Sequence, residues 1–148
     1  MENVFWLRPN IICGRTGPNT RAWDPRELAE GGVGAVLSVD CGAEVVPEDL
    51  SAAGIAYQCI SLSDNAPPQP GDFDNRIAAL PKGLAFARKN IQARKATLVH
   101  CRAGKDRTGM FLSYYLCRTE GLGVQEAIDE VKRVRPIALT AEGYEPFA

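Results

Sequence analysis

The ten-residue stretch HCRAGKDRTG, His100 to Gly109, holds the only histidine of the chain, a cysteine, three basic side chains and two glycines. The apolar residues Leu98 and Val99 precede it and a helical pattern follows it, which predicts a strand–loop–helix turn. Loop amides that lead into a helix point inward and form a nest for anions. Gly104 permits a backbone shape that other residues resist. The positive end of a helix beginning near Thr108 adds its field, and Arg107 supplies a planar fork that suits two phosphate oxygens. Cys101 lies at the other end of the loop, beneath that field. Thiolate is the nucleophilic form of cysteine, and such a field favours it. Cys101, Arg107 and the ring residues Arg102, Ala103, Gly104, Lys105 and Asp106 thus make a cup for a tetrahedral dianion, with a sulfur nucleophile at its base.

Attack on a phosphate ester also needs an acid that protonates the leaving oxygen and later activates water. Asp64 is the choice, because it follows an apolar run and opens the proline-rich loop SDNAPPQPGD. Asp72 and Asp74 are rivals on spacing, but Asp72 reads better as a helix N-cap and Asp74 as a first-turn acid favoured by the helix dipole.

Strands and helices must bring these segments together. Val4–Leu7 and Ile11–Cys13 read as a small hairpin or two edge strands. Asp24, Pro25 and Glu27 read as N-cap, N1 and N3 of a helix running to about Glu30. Ala35–Val39 reads as a buried parallel strand, Pro47–Ala53 as a short helix and Ala56–Leu62 as the next strand. Helical spacing runs from Phe73 to Ile91, and Pro81 should kink or restart that helix. Thr97–His100 reads as a strand, and Thr108–Glu120 and Val124–Val134 as helices stopped by Gly121 and before Pro136. Thr140 is placed as the cap of a last short helix carrying Tyr144 and Phe147. The alternation predicts an α/β fold, with a mainly parallel sheet flanked by helices, in one domain over residues 1–148. Ligands of such sheets sit beyond the carboxyl ends of the strands, where Cys101 and Asp64 both fall.

These residues carry a family resemblance. His100-Cys101, five residues, then Arg107-Thr108-Gly109 matches the HCx5RTG signature of the cysteine-dependent protein tyrosine phosphatases. The stretch resembles most the compact dual-specificity branch and its lipid-phosphatase relatives. ISLSDNAPP before a helix resembles the core of a compact dual-specificity phosphatase, and DNAPP within it is similar to the acid loop of phosphatase-and-tensin-type enzymes, which supports Asp64. The resemblance implies that His100 orients the cysteine backbone and tunes the thiol, and that Thr108 hydrogen-bonds the sulfur to help it leave. It implies a metal-independent reaction with no cofactor. The position of Cys41 is similar to that of a resolving cysteine in the phosphatase-and-tensin-type enzymes, so a reversible Cys41–Cys101 disulfide is an expectation; a small buried residue is the plainer one. Cys13, Cys59 and Cys117 read as core.

The resemblance also frames the substrate. Phosphotyrosine-only members are longer and add an aromatic loop; this chain has little spare length, so a shallower pocket for phosphoserine, phosphothreonine and phosphotyrosine is expected. Arg102 and Lys105 resemble instead the extra basic groups of phosphoinositide and inositol-phosphate phosphatases, and Asp106 partly offsets them. Plain solvation of those two charges is an equal alternative. Arg8, Arg15, Arg21, Arg133 and Arg135 are candidates to border the pocket and select acidic partners.

Other phosphate or sulfur sites fit less well. A Walker A loop needs Ser or Thr after Gly-Lys, and here Asp106 follows. A rhodanese loop can read CRAGKR, but the inserted Asp106 makes this ring larger, as suits phosphate. A phosphate-binding module without turnover would be expected to lack one of Cys101, Arg107 and Asp64.

Bulk properties bound the rest. The chain has 148 residues, 45% hydrophobic and 24% charged, as in globular proteins. A net charge of -1 gives no general attraction to nucleic acid or anionic lipid. The N-terminus lacks the pattern of a secretory signal, and no apolar run is long enough for stable membrane insertion. Five cysteines, an odd number without a CxxC pair, together with one histidine, argue against structural zinc and for free thiols in a reducing cytoplasm. A monomer acting on a phosphorylated protein, phosphoinositide or inositol phosphate is expected.

Overall fold

The computed structural model describes residues 3–18, 20–62 and 72–139, the side chains of 72–77 excepted. The expected hairpin is β1 (Val4–Arg8) and β2 (Ile12–Thr16), closed by Ile11 N–H donating to Arg8 O. Helix α1 (Pro25–Glu30) begins as its sequence dictates: Asp24 accepts a hydrogen bond from the Arg26 amide, and Pro25 fills the first turn where its missing N–H costs nothing. Strand β3 (Val33–Ser38), helix α2 (Pro47–Ala52) and strand β4 (Ala56–Cys59) follow. Next come α3 (Asp72–Gln92), β5 (Ala96–Cys101), α4 (Asp106–Glu120) and α5 (Val124–Val134).

The five strands form one sheet in the order β1-β2-β5-β3-β4. Among the described residues only the β1–β2 pair is antiparallel; β2–β5, β5–β3 and β3–β4 are parallel. This is the mainly parallel sheet that the strand–helix alternation implies. Its centre is β5, whose six residues are all buried, as a strand covered on both faces must be. Side chains alternate across it. Leu98 packs with Cys13, Val36, Leu28 and Leu50 under α1 and α2. Val99 and Cys101 pack with Phe111, Leu112, Leu116 and Val131 of α4 and α5. By the same alternation His100 faces the α1 and α2 side.

Several details differ from expectation: strand β4 ends at Cys59 rather than Leu62. Helix α3 runs through Pro81 without restarting; Pro81 removes one N–H from the ladder, while Leu80, Leu84 and Ala87 fix the segment to the core. Helix α4 starts at Asp106, not near Thr108, so Asp106 and Arg107 belong to its first turn. Cys59 is exposed rather than core; it ends the outer strand, and its sulfur donates to Asp40 O at 3.3 Å. Cys13 is buried as expected, Cys117 half-buried. Gly121 ends α4 in the left-handed conformation at φ 71°, as a glycine stop should. The last helix placed after Thr140 lies outside the described residues.

Candidate active site

The sheet register aligns the site. Thr16 pairs with Cys101, and Ser38 pairs with both His100 and Cys59, so the carboxyl ends of β2, β5, β3 and β4 lie in one row. Cys101 is the last residue of β5 and is 2% exposed. The loop after it runs straight into α4.

The loop is held from outside at four successive carbonyls. Arg102 O accepts from the Gly17 amide at 3.1 Å and from Thr20 Oγ1 at 3.1 Å. Ala103 O accepts from Arg135 Nη2 at 2.7 Å, with Thr16 Oγ1 at 3.5 Å. Gly104 O accepts from Arg135 Nε at 3.2 Å. Lys105 O accepts from the Leu139 amide at 3.3 Å and from the Gly109 amide inside α4. A trans peptide plane points its N–H opposite its C=O. With these carbonyls turned outward, the amides of Ala103, Gly104, Lys105 and Asp106 face the interior of the ring. Inward amides in such a ring are the geometry that an anion nest requires.

Two glycines make the geometry possible. Gly104 has φ 67°, and a Cβ there would stand 2.6 Å from the carbonyl carbon and oxygen of Arg15. At Gly109 a Cβ would meet Leu139 Cγ at 3.2 Å, so its absence leaves room for the chain at 138–139 to close against α4. Lys105 occupies the N-cap position of α4, and its side chain makes no cap bond. Its Nζ lies 2.7 Å from Asp106 Oδ2, the offset of charge expected from the sequence. Arg102 is exposed and Arg107 half-buried.

His100 is 1% exposed and sits in a directed chain of hydrogen bonds. Its Nδ1 is 3.3 Å from Cys101 O, an atom that can only accept, so Nδ1 carries the proton. Burial pushes its pKa down, with the charges of Arg15 and Arg107 adding to the effect and Asp40 opposing it. A neutral ring with Nδ1–H has an accepting Nε2, and Ser38 Oγ stands 2.5 Å from it and donates. Tyr57 then donates to Ser38 Oγ at 2.8 Å, and burial pushes the Tyr57 phenol up to about 12, which keeps its proton in place. The Trp23 ring closes the other side of the imidazole, edge-on at 5.0 Å. His100 is therefore built to hold the Cys101 backbone rather than to shuttle protons.

The Thr108 hydroxyl is fully buried and has no hydrogen-bond partner among the described residues. A buried unsatisfied donor is costly, and this one lies in the first turn of α4, directly after the ring.

The remaining arginines divide. Arg15 is buried: its guanidinium donates to Thr16 O, Arg21 O and Ala22 O and lies over Trp23 at 5.5 Å, which pins the turn below the loop. Arg8 is bound to Glu120 and Glu130, and Arg133 to Glu130. Arg135 reaches the back of the loop. Arg15 and Arg135 thus brace the backbone around the loop, Arg8 and Arg133 are held in ion pairs, and Arg21 is exposed. Asp64 lies outside the described residues, as do the side chains of Asp72 and Asp74. Cys41 and Cys101 are both free thiols; Cys101 is buried, whereas Cys41 is exposed rather than the small buried residue expected, because it follows β3 in the loop at the sheet edge.

Residues 18–145 match the family model "Dual specificity phosphatase, catalytic domain". The chain belongs to that family. Among relatives, it is 30% identical over 140 residues to the mouse (Mus musculus) dual specificity protein phosphatase 12, covering 94% of this chain but 38% of that relative's length. Two solved structures share this dual-specificity phosphatase fold. Tk-PTP in its active form superposes with a TM-score of 0.80 at 21% identity, covering 97% of this chain and 91% of that one. PTPMT1 in complex with PI(5)P gives 0.77 at 19% identity, covering 93% and 86%.

Sequence reasoning missed Ser38, Tyr57, Thr16 and Thr20 as site residues and could not place Arg15 and Arg135. Ser38 carried a signal: it is a hydroxyl in the otherwise apolar run AVLSV. The others supply contacts from distant segments, which no local pattern encodes.

Proposed function

We propose that this dual-specificity phosphatase domain hydrolyses phosphomonoesters through a phosphocysteine at Cys101, and that its substrates are phosphorylated proteins carrying phosphotyrosine and phosphoserine or phosphothreonine. The observation that carries the reading is the ring of four outward carbonyls over Cys101, which aims the opposite amides at one point. Three equatorial oxygens of a phosphoryl group need such donors, and Arg107 supplies the charge that strengthens them.

The Cys101 thiolate attacks phosphorus; the S–P bond forms as the P–O bond to the leaving group breaks, and Asp64 gives that oxygen its proton. Water then attacks phosphorus, Asp64 takes the water's proton, the S–P bond breaks and inorganic phosphate leaves. The Thr108 hydroxyl donates to the departing thiolate. His100 stays neutral throughout and fixes the Cys101 carbonyl.

A phosphoinositide or inositol-phosphate substrate is the second reading. The exposed Arg102 at the ring favours it, and the fold neighbour PTPMT1 is named as a complex with PI(5)P. The Lys105–Asp106 ion pair weighs against it, because it removes one of the two extra cations from the ring.

The test is a substrate panel of phosphotyrosine, phosphoserine and phosphothreonine peptides beside phosphoinositides and inositol phosphates, with acid quenching to trap the intermediate. Cys101→Ser should abolish turnover while leaving binding. Hydrolysis by that variant, or a phosphorylated intermediate at any other residue, refutes the mechanism; turnover of lipids alone refutes the protein-substrate assignment.

A further inference from the structure

We propose that Arg135 is a positioning residue for this site: its guanidinium holds the peptide planes of the loop so that their amides face the phosphate. The proposal rests on the reading of the loop as a phosphate site and gives it a control point outside the signature motif.

Pro136 disfavours helical backbone at the residue before it, and Arg135 accordingly leaves α5 with φ −140° and ψ 82°. Its own backbone is fixed at both ends: its amide donates to Val131 O and its carbonyl accepts from the Ala138 amide, each at 2.9 Å. The side chain has a defined seat as well. The guanidinium lies over the Phe5 ring at 5.6 Å. Phe5 occupies the space above Gly14, where a Cβ would stand 2.2 Å from Phe5 Cζ. A hairpin glycine, an aromatic ring and a cation thus stack behind the loop in sequence.

From that seat the fork reaches two consecutive carbonyls, Nη2 to Ala103 O at 2.7 Å and Nε to Gly104 O at 3.2 Å. These belong to the peptide planes on either side of Gly104. Glycine has the widest choice of backbone conformations, so Gly104 is the joint at which the ring could most easily reverse a peptide. A reversed plane would aim a carbonyl oxygen, the negative end of its dipole, at the bound anion. Charge-assisted hydrogen bonds are about twice as strong as neutral ones, and a planar fork holds two carbonyls in fixed relation where a single ammonium cannot. The positive charge of Arg135 points to the back of the ring, so its contribution is orientation of donors rather than direct contact with substrate.

The test compares Arg135→Ala and Arg135→Lys with the wild-type chain in two assays, calorimetric binding of tungstate and hydrolysis of p-nitrophenyl phosphate, with thermal unfolding as the control for folding. In Arg135→Ala, tungstate affinity and kcat should each fall at least about ten-fold, as expected when preorganised donors are lost. Arg135→Lys should recover only part of the affinity and remain about three-fold or more weaker than wild type. Wild-type affinity and kcat in a folded Arg135→Ala overturn the proposal. Full recovery by Arg135→Lys also overturns it, because charge alone would then suffice. If the alanine variant does not fold, the lysine variant decides by the same criterion. Wild-type protein that binds tungstate but hydrolyses nothing would remove the phosphatase reading and leave the Arg135 comparison intact; wild-type protein that binds no tungstate removes both.

Discussion

Ser38 Oγ stands 2.5 Å from His100 Nε2 across the parallel pair of β3 and β5, and both residues are almost fully buried. The contact satisfies the Nε2 lone pair of the histidine whose Nδ1–H holds Cys101. Ser38→Ala leaves Nε2 as a buried acceptor without its donor, which costs about 1–3 kcal/mol. Tyr57→Phe removes only the outer link of the chain from a half-buried position, and about 0.5–1.5 kcal/mol is expected. Urea unfolding of both variants checks the order; an equal or larger loss in Tyr57→Phe would show that Ser38 is satisfied elsewhere.

The same burial makes stability depend on pH. The folded protein holds His100 below its ordinary pKa, so the unfolded chain binds more protons over the interval between the two values. Stability from this group is therefore complete above about pH 6.5 and is lost as pH falls through the folded value. Unfolding free energy measured from pH 7.5 to 5 should fall with acid. That fall should be smaller in His100→Asn, which cannot take up the proton. Parallel slopes in the two proteins would assign the acid sensitivity to other groups.

Gly104 is the residue on which the ring turns. Alanine there must adopt φ 67°, which costs a residue with a Cβ roughly 1–2 kcal/mol. Its Cβ would also collide with the backbone of Arg15 and Thr16, atoms that cannot move aside as a side chain can. The loop should open and its amides lose their common focus, with kcat lower by about 10²-fold or more. Steady-state kinetics beside a melting curve separates this from global unfolding. A folded Gly104→Ala with wild-type kcat would mean that the amides are not the main oxyanion donors.

Local signals in the chain account for much of the fold. The Pro25 helix with its Asp24 cap, the Gly121 stop and the apolar run ahead of His100 each specify an element through residues that are neighbours in sequence. The ring of residues from Cys101 to Arg107 is legible for the same reason: strand, glycine, arginine and helix start are adjacent. What is not legible depends on distant pairing. Arg15 looks like any basic residue until the register sets it opposite His100. Arg135 looks like a helix-end cation until the fold carries it behind Ala103. Cys59 reads as core because its strand is apolar at the start, yet β4 is the outer strand of the sheet and its end is exposed.

Arg8 offers a control far from the chemistry. It forms a two-pronged contact with Glu120 and a third bond to Glu130, tying β1 to the ends of α4 and α5. Glu120 first and Glu130 after it hold the Arg8 proton more firmly than usual; Arg8 lowers the Glu120 carboxyl, and Arg133 followed by Arg8 lowers that of Glu130. The pair remains about a quarter to a third exposed, so solvent screens it, and Arg8→Ala should cost about 1 kcal/mol or less. kcat and KM for an aryl phosphate should not change. The stability loss should shrink in 1 M salt; a loss that persists there would point to packing of the side-chain stem instead.

Asp64 is proposed as the general acid because it follows, in the sequence, strand β4, whose carboxyl end lies in the same row as that of β5. A carboxyl in that role must be protonated to give its proton to the leaving oxygen, so it sets the basic limb of the pH profile. Asp64→Ala should lower kcat by about 10²-fold or more and flatten that limb. The loss should grow as the leaving group becomes a poorer one, because an alkoxide needs the proton more than a nitrophenolate does. Cys101 still attacks without the acid, so the phosphocysteine should remain trappable with p-nitrophenyl phosphate. Profiles of kcat/KM for an aryl and an alkyl phosphate, measured for both proteins, decide the matter. A basic limb that survives in Asp64→Ala transfers the role to Asp72 or Asp74, and the same substitution at those positions would then remove it.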